Sequence, residues 1–239
     1  MTRSEKFSTI RSPFLAALGA NRFSLLFITL LLTIGGSAFL SEMGWAGVLN
    51  VGWAGVLNVL ILLDLLVLLA VVTGRWVLRT GLVLFTLSLV SWILLALTGA
   101  TALQPAGQVG AILLFVLGTL GCFRMAFSPG PVERERLAAS LSFYLLLGLM
   151  FALLFTVIAE LLPSSFHFSA TRPAAVTARP LADMIYFSFV TLATLGYGDI
   201  VPLTPSAKGL AILEAILGQI YLVVVVARLV SLYGKSEAG

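Results

Sequence analysis

The sequence predicts an all-α membrane protein: six transmembrane helices, with a re-entrant helix and an extended loop between the fifth and sixth. Three observations carry this. Of 239 residues, 60% are hydrophobic and 10% charged, against about a quarter charged in soluble domains. The mean hydropathy is +1.11, and the apolar residues stand in long blocks rather than scattered. Lys and Arg stand mostly between the blocks, where membrane orientation needs them.

Blocks of span length, about 20 mostly apolar residues, lie at residues 23–40, 53–73, 76–97, 107–123, 137–162 and 206–232. Residues 1–21 carry Arg3, Lys6 and Arg11 on a broken apolar stretch with no small-residue cleavage site. They read as a cytoplasmic N-terminus, and the first block as a retained span rather than a removable signal. Residues 7–20, interrupted by Pro13, also suit a short helix lying flat on the membrane. Four blocks within 22–126 form an N-terminal membrane domain, and residues 127–136, with Pro129, Gly130, Pro131 and four alternating charges, a cytoplasmic linker. The second unit, 137–235, comprises an outer helix 137–162, a polar stretch, a short apolar helix 181–193, a loop 194–199 and an inner helix 206–232. The short helix cannot cross a bilayer and is too apolar for an ordinary loop. A re-entrant element fits, because irregular backbone at membrane depth survives only inside protein or beside water.

With the N-terminus inside, Arg3, Lys6, Arg11, Arg22, Arg75, Arg79, Arg124, Arg134, Arg136, Arg228 and Lys235 are cytoplasmic, and Arg172, Arg179 and Lys208 are outside. Eleven of the 14 basic residues on one side fix the orientation. Both termini are then cytoplasmic in a multi-pass protein of the cell membrane. The net charge of +4 has no basic patch behind it, so the expected partner is the lipid bilayer, with no nucleic acid.

Several features stand apart. Residues 44–51 and 52–59 are the same octapeptide, GWAGVLNV, in tandem. Two copies are too few for a repeat architecture. A span counted back about 21 residues from Arg75 already reaches Trp53, leaving the first copy surplus. Cys122, alone in an apolar block, reads as packing. Asp64 lies within the second span, where Thr86 and Ser88 of the third reach similar depth and could hydrogen-bond it. It reads either as a satisfied structural acid or as a proton sensor. His167 in the outer loop reads as solvated.

Residues 182–202 read ADMIYFSFVTLATLGYGDIVP. An extended backbone with its carbonyls turned to one side offers rings of oxygens that replace the water around K⁺. Such a backbone needs angles that glycine reaches easily, hence Gly196 and Gly198. The Thr194 hydroxyl adds the innermost ring, while Leu195 and Tyr197 point away and wedge the strand against the preceding helix. That helix aims its negative C-terminal end at the axis, favouring a cation.

T-x-G-Y-G-D after a short apolar helix, between two spans, resembles the pore domain of the tetrameric potassium channels. The resemblance covers residues 137–235, about two-fifths of the chain. It implies a pore helix at 181–193 and a selectivity filter of Thr194, Leu195, Gly196, Tyr197, Gly198 and Asp199. K⁺ would be held at Thr194, Leu195, Gly196 and Tyr197, passing as the permeant ion with no cofactor. One filter per chain implies a homotetramer, the chain being its own partner. Gly218 sits where many relatives carry a hinge glycine, and a close-packing glycine is an equal reading. Gln219, Leu222 and Val226 share a helical face that would line the cavity below the filter. The sequence departs from relatives that place a carboxylic acid behind the filter: Val190 stands there, and Tyr186 and Phe187 replace two tryptophans. Asp199 then needs another donor, with Tyr186 the candidate. Glu214, one turn before Gly218, could support the filter instead by bonding the pore helix at Ser188 or Thr191.

Other functions lack their residues. Voltage sensing needs several Arg or Lys at every third position of the fourth span, and 107–123 contains none. The seven residues after Leu232 leave no room for a ligand-binding gating domain. A nonselective cation channel would be expected to disrupt Tyr197-Gly198. A transporter or membrane enzyme would want convergent polar groups within the spans, and one histidine and one cysteine far apart do not make a catalytic set.

Overall fold

The computed structural model describes residues 21–42, 60–64, 66–67, 75–98, 104–128, 134–169 and 180–236. The interfacial stretch 7–20, the tandem octapeptides and most of the second span lie outside the described residues.

The described chain runs as helices α1 (Arg22–Glu42), α2 (Arg75–Thr98), α3 (Gln104–Ala126) and α4 (Arg134–Leu161), strand β1 (Phe166–Phe168), helix α5 (Pro180–Leu192), strand β2 (Ile200–Pro202) and helix α6 (Pro205–Ser236). Among the described residues, four stretches are long and apolar enough to cross a membrane: Trp76–Leu94, Gly107–Ala126, Arg134–Leu161 and Pro205–Val225. They coincide with the third to sixth blocks read from the sequence. The first block is α1, 21 residues, about 30 Å of helix. The second is represented by helical residues 60–64 and 66–67.

Helix ends follow from local chemistry. Pro180 and Pro205 open α5 and α6, where a missing N–H costs nothing and φ is already helical. Thr204 caps α6, its hydroxyl accepting from Ala207 N at 3.4 Å. The cap of α1 comes from a distant residue. Glu135, in the first turn of α4, accepts from Phe23 N at 2.9 Å, from Ser24 N at 3.3 Å and from the Ser24 hydroxyl.

α4 is the central element, with α1, α3, α5 and α6 all packed against it. α2 lies on α3 through small residues: a Cβ at Gly110 would stand 2.6 Å from Ser88 Oγ, and one at Gly107 would stand 2.8 Å from Ser91 Oγ. Close approach of this kind holds helices together where lipid removes the hydrophobic drive. Cys122 is buried in the core as a free thiol.

Asp64 is bonded differently from the expectation. It is fully buried, and its Oδ2 accepts from Thr33 Oγ1 of α1 at 2.6 Å. Ser88 Oγ instead lies within hydrogen-bond reach of Leu84 O and Gly107 O, and Thr86 turns back onto Val83 O. Depth alone had suggested these partners; the helix beside the acid is α1.

The helical expectation also held no strand. β1 and β2 form an antiparallel ribbon with Phe166 opposite Pro202, His167 opposite Val201 and Phe168 opposite Ile200. Its alternation buries Phe166 and Ile200 and leaves His167 in solvent.

Candidate functional site

α5 ends in a cap whose hydrogen bonds define the start of the loop that follows. Leu195 N donates to Val190 O at 2.9 Å and Thr194 N to Thr191 O at 3.0 Å. This is the six-to-one and five-to-two pair of a Schellman motif, whose cap residue takes the left-handed conformation. That residue is Thr194, with φ of 58°. Glycine is usual there, because a β-branched side chain resists this region. Gly196 and Gly198 are also left-handed, with φ of 59° and 77°. Handedness therefore alternates residue by residue from Thr194 to Gly198. The sequence reading assigned positive φ to the two glycines and missed the third position, which the helix end imposes.

The other end of the loop is held by the ribbon. Asp199 O accepts from Ser169 N at 2.9 Å, and Leu203 N donates to Ser165 O at 2.7 Å. Residues 194–198 thus run between a helix cap and a paired strand. Alternating Phe166-His167-Phe168 was the available signal for β1, but three residues are too few to read without their partner.

Behind the loop, the adjacent aromatics Tyr186 and Phe187 of α5 face opposite ways. Phe187 is buried in edge-on contact with Phe155 of α4 at 5.0 Å and Phe166 of β1 at 5.5 Å. Tyr186 stacks on Tyr197 with ring centroids 6.5 Å apart and planes 11° from parallel. Its hydroxyl bonds the Asp199 carboxylate, and burial together with that acid pushes it up to about 12. Tyr186 therefore remains a donor. Val190, beside it on α5, is buried.

Glu214 is fully buried against α5, where Ser188 Oγ bonds both its Oε1 and the Gly148 carbonyl, the latter at 2.7 Å. Tyr144 donates to Leu192 O at 3.2 Å, fastening α4 to the last residue of α5. Gly218 lies on the same face of α6, and a Cβ there would stand 2.7 Å from Leu192 Cδ1.

The conspicuous property of the loop is exposure. On the single chain Leu195 is 56% exposed and Tyr197 67%, so much of both side chains is left uncovered by their own chain. α6 buries Ala207, Glu214, Gly218 and Tyr221 and exposes an apolar face that includes Ile212, Ile216, Ile220 and Val223. Gln219 and Leu222 lie on the exposed side. Val226 is helical, but its side chain lies outside the described residues.

Residues 166–235, from β1 to α6, match a family model described as an ion channel. The chain is similar to two-pore potassium channel 5 of Arabidopsis thaliana, 38% identical over 55 residues, covering 23% of this chain and 14% of that protein. It is similar to two pore potassium channel c of Oryza sativa subsp. japonica, 40% identical over 70 residues, 29% of this chain and 14% of that one. It is also similar to an inward rectifier potassium channel of Paramagnetospirillum magnetotacticum, 30% identical over 96 residues, 40% of this chain and 29% of that one. The chain spans less than a third of the length of each of these relatives. Together with four helices among the described residues able to cross a membrane, these likenesses fit a multi-pass membrane protein whose stretch from β1 to α6 is similar to ion channels.

Proposed function

We propose that this chain is one subunit of a potassium-selective channel that conducts K⁺ passively through a pore closed by four copies. The carrying observation is the loop Thr194–Gly198, in which Thr194, Gly196 and Gly198 are left-handed and the residues between are not. Alternating handedness brings successive N–H groups to one edge and so leaves the carbonyls on the other. Four such edges around an axis would supply the oxygen rings that replace the hydration shell of K⁺. Leu195 and Tyr197, exposed on one chain, would be covered by the next copy, as would the apolar face of α6.

In this reading the pore domain is residues 137–235, the upstream unit 22–126 stands at the periphery, and six spans leave both termini cytoplasmic in the cell membrane. Gln219, Leu222 and Val226 line the cavity. K⁺ is the permeant ion, no cofactor takes part, and the pore responds weakly to voltage.

Flux from purified protein in liposomes tests this. K⁺ and Rb⁺ should pass with Na⁺ excluded, and native mass spectrometry in mild detergent should give four chains. A bi-ionic K⁺/Na⁺ reversal potential near zero would mean a nonselective cation channel. An active monomer or dimer would refute the fourfold pore.

A further inference from the structure

The buried acid of α6 has a hydrogen-bond geometry whose protons can be counted. Ser188 Oγ contacts two oxygens: the Gly148 carbonyl at 2.7 Å and Glu214 Oε1. A serine hydroxyl has one hydrogen to give, and a backbone carbonyl can only accept. If that hydrogen goes to Gly148, the remaining oxygen–oxygen contact needs a hydrogen from Glu214, which only a protonated carboxyl carries. If it goes to Glu214, an ionised carboxylate is left fully buried, with Oε2 unpartnered. An uncompensated charge is far costlier to bury than a neutral oxygen lacking one bond.

The surroundings favour the neutral form. α4 faces Glu214 with the titratable Tyr144, whose hydroxyl hydrogen is given to Leu192 O, so nothing there offsets a negative charge. α5 faces it with Ser188, and that helix's charged residue, Asp183, is more than a turn earlier. On α6 itself, Lys208 lies almost two turns earlier and is exposed.

We propose that Glu214 holds its proton and acts as a positioning residue for the loop, donating to Ser188, which donates in turn to Gly148. The relay joins α6, α5 and α4 at one point. It lies beside the bond from Tyr144 to Leu192 O, the residue from which the loop departs. Loss of the proton removes the relay's first donor and sets a negative charge between Tyr144 and α5. This rests on the channel reading, with the loop as filter: filter integrity then requires Glu214 to be neutral, and conduction fails on the alkaline side.

The test uses the full chain in liposomes, with wild type, Glu214→Gln and Glu214→Ala. Gln has the shape of the protonated acid and an N–H to donate to Ser188. Its K⁺ flux at neutral pH should lie within about twofold of wild type, and it should stay flat where wild type falls on the alkaline side. Glu214→Ala, which leaves the Ser188 oxygen without its donor, should lose about tenfold or more. An infrared difference spectrum, wild type minus Glu214→Gln at neutral pH, should show the carbonyl stretch of a protonated carboxylic acid; Asp64, common to both, cancels. Carboxylate bands in that difference, or the same alkaline fall in Glu214→Gln, would overturn the proposal. Should Glu214→Ala fail to fold, the Gln variant and the infrared band still decide. A wild type without K⁺ flux would sink the channel reading and leave the protonation of Glu214 to the spectrum.

Discussion

Gly218 has two readings that one double-mutant cycle separates: a hinge in α6, or a close contact with the end of α5. The structure supplies the second with numbers. A Cβ at Gly218 would meet Leu192 Cδ1 at 2.7 Å, Leu192 Cγ at 3.3 Å and Leu192 O at 3.4 Å. Leu192 is itself fully buried, and its carbonyl is held by Tyr144, so it has little room to give. Overpacking of this kind costs about 1–3 kcal/mol, against roughly 1 kcal/mol gained from replacing a helical glycine by alanine. Gly218→Ala should therefore destabilise by about 1 kcal/mol per chain. Leu192→Ala alone should cost about 2–5 kcal/mol, as buried leucines do. In the double variant the new methyl enters space that the shortened side chain has vacated, so the sum should fall short of additivity by about 1 kcal/mol or more. Thermal unfolding of the purified protein in detergent measures each corner of the cycle. A pure hinge predicts otherwise: additive stabilities within about 0.5 kcal/mol, and impaired flux in Gly218→Ala whatever stands at 192. Additivity would refute the packing argument.

Other perturbations bear on the loop and the cavity. Gly196→Ala meets open space on the single chain at φ of +59°, so its cost is conformational, about 1–2 kcal/mol per copy, repeated around the proposed pore. Na⁺ exclusion should be lost in the flux assay, as it should in Tyr197→Val, which removes the stack on Tyr186. Tyr186→Phe deletes the hydroxyl that bonds Asp199, worth about 1.5–3 kcal/mol for a bond to a charged group; K⁺ flux should decay faster than in wild type, and an unchanged time course would count against the contact. Gln219→Leu should change the constant for internal block by quaternary ammonium ions, and an unaltered constant would place Gln219 away from the cavity.

The helices that position the loop were legible because long apolar blocks leave few alternatives and their ends carry charges or proline. The short helix was expected at residues 181–193 and runs Pro180–Leu192; the inner helix was expected from 206 and starts at Pro205. What resisted was contact across the fold. Phe166–Phe168 pairs with Ile200–Pro202, too far along the chain and too short for a periodicity to announce. Thr33 bonds Asp64 because α1 stands beside the acid, and hydropathy ranks residues by depth without saying which helices are neighbours. Thr194 is left-handed against its own side-chain preference, because the helix cap sets it.

The stretch between the two units is also a point of contact between α3, α4 and α6. Arg228 of α6 donates to Ser128 O at 2.9 Å, and its guanidinium stands 4.8 Å from the Phe127 ring. From there a run of rings crosses the structure: Phe127 to Phe123 at 4.5 Å, Phe123 to Phe143 at 5.7 Å, and Phe143 to Tyr221 at 4.3 Å. Tyr221 closes it by donating to Ser140 O at 2.6 Å. The half of α6 beyond Gly218 is thereby fixed to the end of α3 and the start of α4, where Glu135 also caps α1. A movement of that half must either break a charge-assisted bond and an aromatic stack or carry α3 with it. The fourth span lacks the regularly spaced arginines that would couple it to voltage. Arg228 and Phe127 are thus one point at which α6 is tied to the end of α3, beside the tie of Tyr221 to α4.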